Sequence, residues 1–192
     1  MFARRPKDKA AQQGLRWHCH TRVEKYVGDI TPDGLSVLTG MPAEPYDVVE
    51  IESNLLMYGG ASCMWQTLIG NGTATAGQTL TYFNNAQAAI GVGDSSTSEA
   101  ATQTNLQAAS NRLRKAMDAT YPQHTDATTS GAASIVYKST FATTDANYAW
   151  AEWGVFNSAT DGTGRMLNRK VQSLGTKTSA ATWVLTVTLT LA

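Results

Sequence analysis

The strictest alternation of apolar and polar positions lies in the segment TWVLTVTLTLA near the C-terminus. Successive side chains of a β-strand point to opposite faces of its sheet. The segment therefore predicts a strand with one buried apolar face and one face that is wet or paired. The two faces carry apolar Trp183, Leu185, Val187, Leu189 and Leu191, and polar Thr186, Thr188 and Thr190.

Several other segments predict short strands. Along the chain they are WHCHTRVEKYVGDI, Asp47–Ile51, LTYFNNAQAAIGVGDSS (one or two strands running into a glycine turn), SIVYKSTF, ANYAWAEWGVF and MLNRKVQSL. Gly, Asp, Asn and Ser turns separate them, as in SATDGTGR, and no strand–helix–strand rhythm is present. This pattern predicts a mainly β fold, an antiparallel β-sandwich or jelly-roll-like body with one or two short helices and an extended N-terminal arm.

In two segments the apolar residues no longer alternate as in a strand but follow a helix-like spacing, which predicts helix. SNLLMYGGASCMWQTLIGNGT favours a short helix with Ser53 or Asn54 as the N-cap and an end at Gly70-Asn71-Gly72. Gly59-Gly60 within it would allow a kink or a close backbone approach. The polar, Ala- and Gln-rich stretch near residues 95–122 predicts a partly helical excursion on the surface of the sandwich.

Charge divides the chain into an arm and a body. The formal net charge is zero, yet residues 1–25 hold seven basic and two acidic side chains, so a segment of +5 precedes a remainder of −5. Residues 1–16 lack apolar periodicity and predict a flexible basic arm, followed by a single β-rich domain over residues 17–192. The arm is either a solvated tail or a segment that docks on an acidic protein surface or on nucleic acid. Its candidate anchoring residues are Arg4, Arg5, Lys7 and Lys9.

The segment DANYAWAEWGVF concentrates aromatic side chains around one acid. Strand parity places Trp150, Glu152 and Phe156 on one face and Trp153 on the other. A strand that is apolar on both faces is covered twice by its own chain, or once by the core and once by a neighbouring subunit. We therefore predict core or intersubunit packing for Trp150, Trp153, Phe156 and Trp183.

The acid in this segment, Glu152, has two interpretations. Burial between tryptophans would raise the pKa of the carboxyl group and suit a general acid, but glycoside hydrolysis needs a second carboxylate at a defined distance. No second carboxylate clusters with Glu152 in the sequence. We favour a buried ion pair between Glu152 and Arg169 or Lys170 of the next strand, and we predict no catalytic residues.

Other candidate chemistry is weak. His18-Cys19-His20 has metal-ligating side chains, but one other His and one other Cys leave a zinc site short of ligands. GVGDSS lacks the Lys of a P-loop and the third Gly of a dinucleotide fingerprint. We expect no metal, no cofactor and two reduced thiols. Without a long apolar run or a signal-like start we expect a soluble chain made in the cytoplasm, and the arm does not resemble a nucleic-acid module.

The second half of the chain resembles virion proteins of tailed bacteriophages, namely tail-fibre, collar and capsid-decoration modules. The matching segments are AAIGVGDSSTSEAATQTNLQA, STFATTDANYAWAEWGVFN and MLNRKVQSLGTKTSAATWVLTVTLTL. The resemblance covers about half of the chain and implies a β-module without a catalytic signature. It implies a non-enzymatic structural component of the virion, which self-assembles and anchors to a neighbouring virion protein at the tail, collar or fibre or on the capsid.

An alternative function comes from the aromatic content alone. Two tryptophans lying in an open groove with polar neighbours would form a stacking platform for a carbohydrate of the host surface. Burial of the same rings between layers or subunits would instead indicate structural packing. The exposure of the tryptophan rings therefore separates the two functions.

Overall fold

The computed structural model describes residues 16–70 and 82–192. Over these ranges the chain forms ten strands, one α-helix and a short 3-10 turn at Ser130–Ala133. The strands are β1 (Trp17–Val27), β2 (Asp47–Glu52), β3 (Leu55–Leu56), β4 (Ala89–Gly93), β5 (Arg112–Ala116), β6 (Gln123–His124), β7 (Ser134–Phe141), β8 (Ala149–Phe156), β9 (Met166–Thr176) and β10 (Ala181–Leu191). The helix, α1, spans Tyr58–Ile69.

The strands form two five-stranded antiparallel sheets, which confirms the predicted mainly β sandwich. Sheet one has the order β2-β1-β10-β7-β6 and sheet two the order β3-β9-β8-β4-β5. The longest ladder joins β1 to β10, with Trp17 opposite Leu191 and Val27 opposite Ala181. Alternation in β10 is confirmed, since Trp183, Leu185 and Val187 are buried between the sheets.

The sandwich has two distinct ends. At the first, here called the helix end, β1 and β9 begin and β8 and β10 end. Helix α1 lies there, with the Met57 amide donating to the Leu167 carbonyl at 2.9 Å. At the second, the loop end, residues 28–46 leave β1, and the Gly28 amide donates to the Ala180 carbonyl in the β9–β10 turn at 2.8 Å.

Helix α1 begins later than predicted. Met57 stands at its N-cap without a side-chain cap, because Leu55 and Leu56 pair with β9 as a short edge strand instead of entering the helix. At the other end Gly70 adopts a left-handed conformation (φ 63°), a common helix stop. The rest of the predicted stop, residues 71 and 72, lies outside the described residues.

Gly60 lets α1 approach β9 closely. A Cβ at Gly60 would lie 2.5 Å from the Cα and the carbonyl oxygen of Leu167, both of them backbone atoms. We expect Gly60→Ala to destabilise the protein by about 1–3 kcal/mol, because the helix must move off the sheet. Urea unfolding measures the loss. Gly59→Ala is the matched control, since its Cβ would have ordinary contacts of 3.8 Å or more, and equal losses for the two variants would contradict the close approach.

The prediction of a partly helical excursion near residues 95–122 was wrong. All of these residues are described, and they contain turns, bends and the strand β5 but no helix. Strand β5 pairs with β4 over Arg112–Ala116. Tertiary pairing overrides the helix propensity of Ala and Gln here, and hydrogen bonds from side chains of sheet two hold residues 97–108 against that sheet.

Candidate functional site

The predicted packing aromatics lie inside the chain. Trp150, Trp153, Phe156 and Trp183 are all buried. The Trp150 ring meets Phe141 and Trp183 edge to face, with centroid separations of 4.7 and 4.8 Å. Their packing needs no second subunit, and these three buried tryptophans cannot form an open stacking platform.

The predicted face assignment in β8 was wrong at one position. The pairing of β8 with β9 is irregular between Trp150 and Glu152, and such an irregularity breaks the alternation of a strand. Trp150 therefore joins Trp153 in the core between the sheets. Phe156 packs in a separate cluster with Met57, Leu106 and Met166.

The structure brings Glu152 and Arg169 together in a buried ion pair. Both side chains are inaccessible to solvent, and Nη2 and Nε of Arg169 lie 2.7 and 2.8 Å from Oε2 of Glu152. They sit on neighbouring strands, β8 and β9, as the sequence predicted. Lys170, the other predicted partner, lies opposite Trp153.

The ion pair also holds residues 97–108, from here on called the excursion, against sheet two. Glu152 accepts the backbone amides of Gln107 and Ala108 at 3.0 and 2.7 Å. Arg169 donates to the Thr97 carbonyl and to Oε1 of Gln103, at 2.9 and 2.8 Å. Each carboxylate oxygen thus has at least one donor of its own, and this arrangement stabilises a fixed loop over the outer face of β8.

The glycines of GVGDSS make room for this arrangement and do not form the predicted turn. Gly91 and Gly93 lie within β4. A Cβ at Gly93 would lie 2.8 Å from Oε1 of Glu152, and one at Gly91 would lie 2.7 Å from the Phe156 ring. Large side chains of β8 therefore occupy the space above both glycines.

Arg114 is another buried cation, and the sequence patterns did not single it out. Its Nη1 donates to the carbonyls of Ser158, Thr160 and Thr163 at 2.7–3.1 Å, and its guanidinium lies 3.7 Å from the centre of the Phe156 ring. Desolvation lowers the pKa of Arg114 to about 10. The carbonyls of the SATDGTG turn thus converge on an arginine, a role that the turn sequence alone does not reveal.

The His-Cys-His segment shows no metal-binding arrangement. Cys19 is buried, accepts a hydrogen bond from Nδ2 of Asn54 at 2.8 Å, and has a thiol pKa raised to about 11 by desolvation. His20 lies 3.9 Å from Glu50 on the outer face of β1. Within residues 16–70 and 82–192, no three His, Cys, Asp or Glu side chains gather closely enough to hold a metal ion.

Helix α1 carries an exposed apolar surface. Its buried positions are the small residues Gly60 and Cys63, and Met64 is partly buried against the core, whereas the other large apolar side chains face solvent. We call these exposed side chains the helix patch: Tyr58, Trp65, Leu68 and Ile69, which are 61–73% exposed. A surface helix normally buries its large apolar side chains and exposes its small or polar ones, so α1 has the reverse pattern.

A second exposed apolar surface lies at the loop end. We call it the loop patch: Val37, Leu38, Met41 and Tyr46, of which Leu38 is 90% exposed. Backbone hydrogen bonds fix this loop, including Ser36 to Met41 at 2.8 Å and Val37 to Asp29 at 2.9 Å. The Asp29 carboxylate in turn accepts the amide and hydroxyl of Thr143 and the hydroxyl of Thr182, which lowers the pKa of Asp29.

Two cavities flank the helix end. One is an apolar recess of about 260 Å³, lined chiefly by Trp17, Met64, Phe83, Ile135, Leu189 and Leu191. The other is a groove of about 560 Å³, in which Tyr58, residues 101–105 and the Gly162–Met166 segment form the walls. Of these two cavities in the described part of the chain, the groove is the one that combines an exposed aromatic side chain, Tyr58, with many polar neighbours.

The candidate anchoring residues Arg4, Arg5, Lys7 and Lys9 lie outside the described residues. The described chain starts at Arg16, whose amide and carbonyl pair with Ala192 next to the β1–β10 ladder. The arm therefore joins the body at the helix end. No helix among the described residues is long and apolar enough to span a membrane. The chain matches no protein-family model, no curated protein and no solved structure.

Proposed function

We propose that this protein is a non-enzymatic structural component of a tailed-bacteriophage particle, which self-assembles and anchors to a neighbouring virion protein. The observation that carries the proposal is the reversed helix α1, with its small residues inward and Trp65 and Leu68 outward. Contiguous exposed apolar surface of this kind marks interaction sites. That the assembly is a tailed-bacteriophage particle is proposed from the sequence resemblance.

The buried ion pair supports a structural role for the aromatic segment. Among the described residues, the donors to the Glu152 carboxylate are Arg169 and two backbone amides of the excursion. The carboxylate is inaccessible to solvent, and it lines neither the recess nor the groove. The acid that sequence reasoning singled out thus holds a loop in place.

Light scattering on the purified chain tests self-assembly. We expect a defined oligomer for the full chain and for a chain that begins at Trp17, because both apolar patches lie in the β-body. A monomer at every concentration in both would overturn self-assembly. Electron microscopy tests the virion role separately: antibodies against the chain should label tailed particles released from cells that encode it, and unlabelled particles would refute that role.

Anchoring through the arm has its own test. Replacing Arg4, Arg5, Lys7 and Lys9 with serine removes four positive charges from the arm. We expect the native mass to stay unchanged and labelling of particles to fall, since the arm contacts an acidic neighbour and not a second copy. A fourfold exchange to lysine and arginine (Arg4→Lys, Arg5→Lys, Lys7→Arg, Lys9→Arg) keeps the charge and should keep the labelling.

Carbohydrate binding is the second candidate, and the groove at Tyr58 is the observation in its favour. The ring is 67% exposed, and the neighbouring residues 102–105 are Thr, Gln, Thr and Asn. Saturable binding to a glycan array, abolished by Tyr58→Ala, would support this function. Binding that is absent, or that survives the substitution, would exclude this groove as the site.

A further inference from the structure

We infer that copies of this chain associate head to tail, with the loop patch of one copy docking on the helix patch and the apolar recess of the next. The inference rests on the proposed self-assembly and adds its geometry. Its first support is placement, because the two patches lie at opposite ends of one sandwich. An interface between two different patches is heterologous, and it produces rings when it closes and filaments when it does not.

Shape is the second support. The loop patch protrudes and the helix end is concave: Leu38 is 90% exposed on its loop, while the recess of about 260 Å³ lies beside α1 and shares its wall residue Met64. An apolar side chain that enters an apolar pocket elsewhere on the next molecule makes a heterologous contact. The loop is held by internal hydrogen bonds, so docking orders little additional backbone.

Charge is the third support. Helix α1 contains no charged residue, and neither do residues 34–43 of the loop. The residues that line the recess include no Asp, Glu, Lys or Arg. The core of a protein interface is depleted of charge and enriched in Trp, Tyr and Met, and Trp65, Tyr46 and Met41 are among the exposed side chains of the two patches.

Area is the fourth support. Four side chains that are each about two-thirds exposed present on the order of 500 Å², in the upper part of the range of about 300–600 Å² in which the largest apolar patch of a protein is often a functional one. A standard interface buries about 800 Å² per partner. The rim of the recess, including Trp17 and Phe83, supplies further area beside the helix patch.

Two full-length variants test the geometry by complementation. Leu38→Asp places a charge on the loop patch and Leu68→Asp places one on the helix patch; both positions are exposed, so folding should be retained. We expect each variant alone to be monomeric at concentrations where the wild type is oligomeric. Mixed in equal amounts, they should form a heterodimer and nothing larger, because one intact patch remains on each chain. Gln172→Glu, an added charge on exposed β9 between the ends, should leave the oligomer intact.

The outcomes separate this inference from the proposed function. If the wild type is oligomeric but the two variants do not combine when mixed, the head-to-tail contact is overturned and self-assembly is not. The same conclusion follows if Leu38→Asp alone is still oligomeric. Loss of the oligomer in Leu68→Asp alone would indicate a symmetric helix-to-helix contact and also overturn it. A monomeric wild type would overturn both. Val37→Asp and Ile69→Asp form a second pair, with the same expected results, if either first variant misfolds by circular dichroism.

Discussion

Arg169→Met should lower the free energy of unfolding by about 3–5 kcal/mol, measured by urea denaturation. The substitution leaves Glu152 as an uncompensated charge in a site without solvent. It also removes the donors to Thr97 and Gln103, so the excursion loses two of its hydrogen bonds to β9. The matched control is Arg22→Met. Arg22 pairs with Glu24 and Glu50 on the surface, and its loss should cost less than about 1 kcal/mol.

The double variant Glu152→Leu/Arg169→Met makes the test sharper. Replacing both members of a buried ion pair with apolar side chains is often neutral. We expect the double variant to remain destabilised here, because the amides of Gln107 and Ala108 lose the carboxylate that accepts them. A double variant as stable as the wild type would show that the pair does not hold the excursion.

Trp150→Ala should cost a comparable 3–5 kcal/mol. The indole fills the core between the sheets, touches the Phe141 and Trp183 rings, and donates through Nε1 to the Ala146 carbonyl at 2.9 Å. Tyr82→Ala, which truncates a half-exposed ring outside both patches, should change stability by about 0.5 kcal/mol or less. Thermal and urea unfolding both measure the difference.

The native mass distinguishes the two packing roles that the sequence left open for Trp150. We expect the folded fraction of Trp150→Ala to keep the oligomeric state of the wild type, since the ring is buried within one chain. A small loss of stability together with dissociation of the oligomer would instead place the ring at a subunit contact.

The strands were predictable because their signal is local. Alternation in β1 and β10 records directly which side chains face the core. The partnership of Glu152 with Arg169 was predictable for a related reason, since consecutive strands joined by a short turn usually pair. The face of Trp150 was misassigned because the irregular pairing of β8 with β9 leaves no mark in the residue pattern.

The course of the excursion and the orientation of helix α1 were harder to predict from the sequence, for a different reason. Residues 97–108 are placed by Glu152 and Arg169, more than 40 positions away, and no local window contains that information. In α1 the apolar positions predicted a helix but not which face meets the body. Gly60 decides that face through its close approach to Leu167, and the large residues are left outside.

The position of β10 in sheet one also determines when, during synthesis of the chain, this sheet can form. This last strand lies between β1 and β7 and pairs with both along nearly its whole length. While the ribosome is still synthesising the chain, β1 and β7 each have an unpaired edge, and closing the sheet joins residues that are 154–174 positions apart. Contacts of such high sequence separation form slowly. Sheet one therefore completes only after synthesis of Ala181–Leu191, and shortened chains expose strand edges that favour aggregation.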